Sequence, residues 1–204
     1  MKEAITTYVN NCETCNRAKY DRHPQNPPIQ KTETPVKPFD VIHIDILFFD
    51  KNQFLTVFDA FSKLGQAYPI PSRNAITTTN TILNYISHYG KPAKIICDQG
   101  SEFNNKIFTE FCQLHKINLH FTSIGNSNSN SPVERFHSTI LDSIRALKLD
   151  NPTLNQETLI KLATIGYNNS IHSATQRTPL EIILGSPQNI EIDEKVITTN
   201  FIEK

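Results

Sequence analysis

The chain has no excess charge of either sign: Lys plus Arg and Asp plus Glu each number 20 among 204 residues. This balance counts against a stand-alone nucleic-acid-binding module, so any DNA reading must rest on a local site or on parts of a longer protein. No apolar run reaches transmembrane length, and the N-terminus lacks the apolar core of a signal peptide, so no membrane partner is expected. Cysteine is scarce. Of the four, Cys97 and Cys112 sit inside apolar runs and only Cys12 and Cys15 are closely paired. That excludes a secreted disulfide scaffold and makes a reducing, intracellular setting the expectation. No serine or cysteine dyad suited to nucleophilic catalysis is in view. Apolar residues are only 38% of the chain, but they are clustered, and the length is enough for one medium domain with its own core and some flanking material.

Residues 1–22 read as a short helix ending in Cys12-Glu13-Thr14-Cys15. Two thiolates on one tight turn can take two corners of a tetrahedral zinc site. The other half is missing, since no histidine stands among the residues before Cys12 and His23 belongs to the next segment. Residues 23–38 carry Pro24, Pro27, Pro28, Pro35 and Pro38, a density that forbids a helix or a central strand and predicts an extended linker. The globular domain is expected over residues 39–186, with a loosely held tail at 187–204.

Within that domain Val41 to Phe49 is apolar almost throughout, as a strand buried on both faces would be. A polar turn leads to a second strand, Phe54 to Phe61, and Leu64 to Ile70 makes a third. A helix follows at Ala75 to Tyr89, with Ile76, Ile82, Leu83, Ile86 and Tyr89 available for its inner side; Gly90 and Pro92 stop it. Ala93 to Cys97 is a short strand that delivers Asp98 at its end. Lys106 to Lys116 reads as a helix with Ile107, Phe108, Phe111 and Leu114 inward, and Ile117 to Phe121 as a fifth strand. The polar stretch from Thr122 to Ser131 is expected to be a mobile loop. A long helix then runs from Pro132 to about Leu149, another from Leu154 to Asn168, and a short one from Pro179 to near Gly185. This order predicts an α/β fold, a mixed five-stranded sheet flanked by helices.

The long helix has two faces. Val133, Phe136, Ile140, Ile144 and Leu147 recur at three- and four-residue steps, while Glu134, Ser138, Leu141, Arg145 and Lys148 form a different stripe with His137 at its edge. One carboxylate thus stands at the helix start, with cations further along. Glu134 also fits the ordinary role of closing a capping box with Ser131. Asp45 lies in the middle of a strand expected to be buried, where an ionised carboxylate is costly unless paired or metal-bound. Asp98 stands at the carboxyl end of a strand, just before a Gln-Gly turn. Each has a bland reading: a hydrogen-bonded core aspartate, a loop aspartate, a cap. Together, three carboxylates without a nucleophile motif suit hard divalent cations such as Mg²⁺, two of which, about 4 Å apart, can clamp an in-line phosphoryl displacement.

Several longer words carry a resemblance: His43-Ile44-Asp45, Phe58-Asp59-Ala60-Phe61-Ser62-Lys63, Cys97-Asp98-Gln99-Gly100-Ser101-Glu102-Phe103, Val133-Glu134-Arg135-Phe136-His137-Ser138-Thr139, and Tyr167-Asn168-Asn169-Ser170-Ile171-His172 with Thr178-Pro179 beyond it. With them, and with 35 residues between Asp98 and Glu134, the chain resembles the integrases of gypsy-type LTR retrotransposons, within the retroviral integrase superfamily. The resemblance runs from Cys12 to about Gly185. It implies an RNase H-like core with Asp45, Asp98 and Glu134 holding two Mg²⁺ or Mn²⁺ ions. It implies trimming of element DNA ends and joining of the 3′-hydroxyls to target chromosomal DNA, by a homo-oligomer in the nucleus after synthesis in the cytoplasm. His137, Arg145 and Lys148 fall on the helix that faces DNA in the family. Residues 1–22 then correspond to a remnant of a zinc module, with Zn²⁺ bound at Cys12 and Cys15 only if a longer chain supplies the histidines. By the same likeness the chain reads as a catalytic core whose neighbouring domains are missing. The rival readings are a catalytically inactive or co-opted remnant that binds nucleic acid or protein, and an RNase H-like nuclease that cuts without joining.

The remaining polar residues read as structural. Asp59 is expected to hold the Ser62-Lys63 turn, and Glu102 to be a surface or turn residue or else a group supporting nearby Asp98. His43 suits either a core role or support of Asp45.

Overall fold

The computed structural model describes residues 34–122 and 131–186, together with Glu3, residues 6–8 and Asn11. The chain divides into two units, Met1–Glu33 and Thr34–Lys204. Cys12, Cys15, most of the proline-rich stretch, the predicted mobile loop at 123–130 and the tail from 187 lie outside the described residues. The elements named below all belong to the second unit.

Five strands form one sheet. β1 (Val41–Phe49), β2 (Asn52–Asp59) and β3 (Gly65–Ile70) are a meander of antiparallel neighbours; β4 (Lys94–Cys97) lies parallel to β1 on its other side, and β5 (Asn118–Phe121) parallel to β4. The spatial order is β3-β2-β1-β4-β5, the mixed sheet expected from the sequence. The parallel strands need crossovers. α1 (Ala75–Tyr89) links β3 to β4 and α2 (Lys106–Leu114) links β4 to β5. α3 (Ser131–Asp150), α4 (Gln156–Asn169) and α5 (Pro179–Leu184) follow. Side chains set several helix starts: Asn74, Asn105 and Asn155 accept from the backbone N–H three residues on, at 2.8, 2.9 and 2.8 Å.

The strand alternation sorts the core into two layers. Ile42, Ile44, Ile46, Leu55, Val57, Ile95 and Cys97 lie in one cluster with Ile82 and Tyr85 of α1 and Phe108 and Cys112 of α2. Leu47, Phe54 and Phe58 lie in the other, against Val133, Phe136, Ile140 and Ile144 of α3 and Leu159, Ile160 and Ala163 of α4. The stripe read from α3 is therefore its buried face. Two inward faces differ from expectation. In α1 the buried residues are Thr78, Ile82 and Tyr85, and Ile76 and Leu83 are exposed; in α2 Phe108 and Cys112 are buried, and Ile107 and Leu114 are exposed. At about 100° per residue, each exposed pair lies roughly 100–180° around its helix from the buried residues. Reading only apolar letters missed Thr78 and Cys112, which fix the true phase.

α3 is seated by one close approach. Gly65 opens β3 directly beneath Phe136, and a Cβ there would stand only 2.2 to 2.8 Å from three atoms of that ring. Buried Asn168 of α4 accepts from Gly65 N at 3.0 Å and donates to its carbonyl at 2.8 Å. Gly65→Ala is therefore expected to displace Phe136 and with it the first turns of α3. It should cost at least about 1–3 kcal/mol, read as a lower urea midpoint with an unchanged denaturant slope.

Candidate active site

Asp45 lies in β1 two residues beyond the last pair with β4, His43 with Ile96. Continuing that parallel register brings Asp98 level with Asp45, just beyond the point where the pairing ends. Side-chain alternation puts both on one face. Ile44, Ile46 and Cys97 belong to the layer under α1 and α2, so Asp45 and Asp98 take the opposite face, the one α3 covers. Glu134 stands in the first turn of α3, beside fully buried Val133, where the positive end of the helix dipole favours a carboxylate. A central strand, the end of its neighbour and a helix start carry the three predicted carboxylates, and Asp98 and Glu134 lie near enough for their charges to act on Asp45.

Their environments differ. Asp98 and Glu134 are exposed, while the Asp45 side chain is 22% exposed and forms the floor. Asp45 Oδ1 accepts from Ile46 N at 2.8 Å, and Asp98 Oδ1 from Gly100 N at 3.0 Å. Burial pushes the Asp45 carboxyl up to about 6, and the negative charges of Asp98, Glu134 and Glu102 push in the same direction; the hydrogen bond from Ile46 opposes them. Among the described residues no three of His, Cys, Asp and Glu already enclose a metal-sized space. The donor set itself suits a hard divalent cation, being all carboxylate oxygen with repulsion that a cation would relieve.

His137 is turned towards this floor rather than outwards along the helix. Its Nδ1 stands 3.9 Å from Asp45 Oδ2, and its Nε2 lies 2.7 Å from Thr56 Oγ1. Thr56 Oγ1 donates its one hydrogen to the Asp45 carbonyl at 2.9 Å. The hydrogen-bond network therefore assigns the proton of His137 to Nε2, donating to Thr56, and leaves the Nδ1 lone pair facing Asp45. Burial lowers the His137 pKa to about 4, so near neutral pH this is a neutral imidazole beside a carboxylate and not an ion pair.

Arg145 and Lys148 lie further along α3. Arg145 pairs with Asp142 one turn away. Lys148 pairs with Asp50 at 3.0 Å and lies over the Phe49 ring. At 1.5 Å per residue, Lys148 is about 21 Å along the helix from Glu134. Asp59 holds the turn after β2, accepting from Ser62 N at 2.8 Å, Ser62 Oγ at 2.5 Å and Phe39 N at 2.9 Å. Glu102 is a turn residue, as expected, but not a surface one: it is 5% exposed. Its backbone carbonyl accepts from Asn105 Nδ2 at 2.9 Å, and its side chain lies against Gly100. The partnership of Thr56 with His137 had no signal in the letters, because it depends on how α3 packs against β2.

A five-stranded sheet of this order with these helices is an RNase H-like fold. The integrase core domain family matches residues 35–127. The Pol polyprotein of the gypsy transposon of Drosophila melanogaster is 37% identical over 176 residues, 86% of this chain and 17% of that polyprotein. The corresponding polyprotein of transposon opus, from the same fly, is 30% identical over 182 residues, 89% of this chain and 18% of the relative. Among solved structures, the HTLV-2 integrase catalytic core in complex with magnesium superposes with a TM-score of 0.63 at 23% identity, over 72% of this chain and 97% of that one. The integrase chain of a simian T-cell lymphotropic virus intasome in complex with the B56γ subunit of PP2A gives 0.74 at 21% identity, over 95% and 70%. The chain belongs to the integrase family of retrotransposons and retroviruses. It spans less than a fifth of the length of these polyproteins.

The raised Asp45 pKa has a definite sign. In the unfolded chain the carboxyl loses its proton near 3.8, in the folded chain near 6. Its contribution to stability therefore falls as pH rises from about 4 to about 6 and stays reduced above that. Asp45→Asn keeps an oxygen for Ile46 N and removes the charge. Metal-free protein carrying it is expected to be more stable than wild type at pH 7.5, by up to about 3 kcal/mol, with the gap closing by pH 4. Urea titrations in EDTA at the two pH values measure this.

Proposed function

We propose that this chain is an integrase catalytic core, a divalent-metal-dependent polynucleotidyl transferase with Asp45, Asp98 and Glu134 as its acidic triad. The observation that carries the reading is the sheet register, which sets Asp45 abreast of Asp98 on the face roofed by the helix that begins beside Glu134. These carboxylates would hold Mg²⁺ or Mn²⁺, a pair of which supplies Lewis-acid activation of the attacking oxygen and neutralises charge on the leaving one. The HTLV-2 core described with magnesium supports that choice.

The chain's own groups do the rest. Ile46 N–H and Gly100 N–H fix Asp45 and Asp98 in orientation, so little rearrangement is left for the moment of reaction. His137 is held neutral in one tautomer and adds no positive charge to the floor. Water would attack the phosphodiester near an element end, releasing a 3′-hydroxyl; that hydroxyl would then attack a phosphodiester of target chromosomal DNA. Both are direct displacements at phosphorus that need no covalent intermediate on the protein. Burial pushes the Cys112 thiol up to about 11 and the Cys97 thiol higher still, so neither serves as a thiolate nucleophile.

The same reading assigns His137, Arg145 and Lys148 to DNA positioning and makes the working form a homo-oligomer acting in the nucleus. A solved neighbour described in trimeric and dimeric forms supports the multimer. Arg145 and Lys148 would exchange Asp142 and Asp50 for phosphates, at small cost because exposed ion pairs are weak. Cys12 and Cys15 would bind Zn²⁺ once a longer chain adds histidines. No described helix is long and apolar enough to cross a membrane.

Incubation with Mn²⁺ and a branched DNA that mimics the integration product tests the chemistry. The wild-type chain is expected to resolve the branch, and Asp98→Asn to lower the rate by at least about 10²-fold, several kcal/mol of barrier. A folded wild-type chain with no activity would instead favour a binding remnant.

A further inference from the structure

The turn after β4 brings together two carboxylates, and Gly100 is what makes room for them. A Cβ on Gly100 would stand 2.9 Å from Glu102 Oε2 and 3.0 Å from Asp98 Oδ1. The two oxygens can therefore be no further apart than those distances laid end to end. Glu102 is buried, yet its charge is thinly compensated. Ser101 Oγ lies 3.5 Å from Oε2, and Arg73 Nε, in the segment between β3 and α1, is 3.9 Å from Oε1. A buried carboxylate so loosely paired is costly, and glutamine would fill the same space without the charge. Arg73 is held from the other side. Its guanidinium lies 5.5 Å from the centre of the Phe48 ring, and its side chain is 48% exposed, so it can leave Glu102 for solvent without losing a buried position. One carboxylate oxygen thus faces Asp98 and the acidic floor while the other faces a removable cation.

We propose that Glu102 is a positioning residue of the acidic site, a fourth carboxylate that strengthens the hold of Asp45, Asp98 and Glu134 on a divalent cation, and that Arg73 competes with that cation for it. This rests on the metal-binding reading of the site given above. In the absence of metal, Arg73 partly neutralises Glu102. When a cation enters, the field at Glu102 is supplied from the site side and Arg73 becomes free to meet a phosphate group of DNA. Removing the two partners should then act in opposite directions. Loss of the Glu102 charge weakens cation binding, and loss of Arg73 strengthens it, but only while Glu102 is present.

Calorimetric titration of metal-stripped chain with Mn²⁺ alone tests this, using wild type, Asp98→Asn, Glu102→Gln, Arg73→Gln and the Arg73→Gln/Glu102→Gln pair. Glu102→Gln is expected to raise the dissociation constant about 10-fold, Arg73→Gln to lower it several-fold, and the pair to match Glu102→Gln alone. A purely structural ion pair would give no opposite signs, and Arg73→Gln, at a half-exposed site, carries the test even if Glu102→Gln does not fold. Glu102→Gln binding Mn²⁺ like wild type overturns the proposal. So does Arg73→Gln binding no more tightly than wild type, or tightening binding equally without Glu102. Wild type binding no more tightly than Asp98→Asn overturns the metal-binding reading and this proposal with it.

Discussion

The carboxylate of Asp45 is carried by a strand whose neighbours are almost all fully buried, and none of the described charges acting on it is a cation. The basic group beside it, His137, is kept neutral by burial. Ile46 N–H supplies a single hydrogen bond, while Asp98, Glu134 and Glu102 add repulsion. A domain selected only for stability would place an apolar or amide side chain there. On the function proposed above, divalent cations would meet that charge, being the species whose chemistry fits an all-oxygen, negatively charged cleft.

The scaffold makes that charge tolerable and useful. The parallel pairing of β1 with β4 ends before Asp45, so the chain after β4 turns away as Asp98 draws level. Gly100 lets the turn be tight, and its N–H holds Asp98. On the same face α3 is anchored by four buried side chains, one of them clamped over Gly65. The beginning of the helix, with Glu134, is thereby fixed to the sheet that carries the two aspartates. A rigid core thus fixes where the carboxylates arise, while the exposed rim at Asp98 and Glu134 leaves room for a substrate.

Much of this was legible in the letters, for identifiable reasons. The strands around Asp45 and before Asp98 are strong apolar runs with clear stops, and α3 shows a clean stripe, so the elements and their order followed. The sheet order gains from the fact that parallel neighbours require helical crossovers. The phases of α1 and α2 were misjudged because Thr78 and Cys112 pack in the core while Ile76, Leu83, Ile107 and Leu114 do not. Glu102 does lie in a turn, but turns are usually exposed, and its burial against Gly100 depends on how that turn packs. The tautomer of His137 rests on Thr56, from a strand 81 residues away. Long-range register of this kind leaves no local pattern to read.

The most direct measurement is anomalous scattering from crystals of the domain soaked with Mn²⁺. The account predicts metal peaks at the sheet edge in contact with carboxylate oxygens of Asp45, Asp98 and Glu134. Manganese bound elsewhere, with no peak in contact with these three carboxylates, would contradict it.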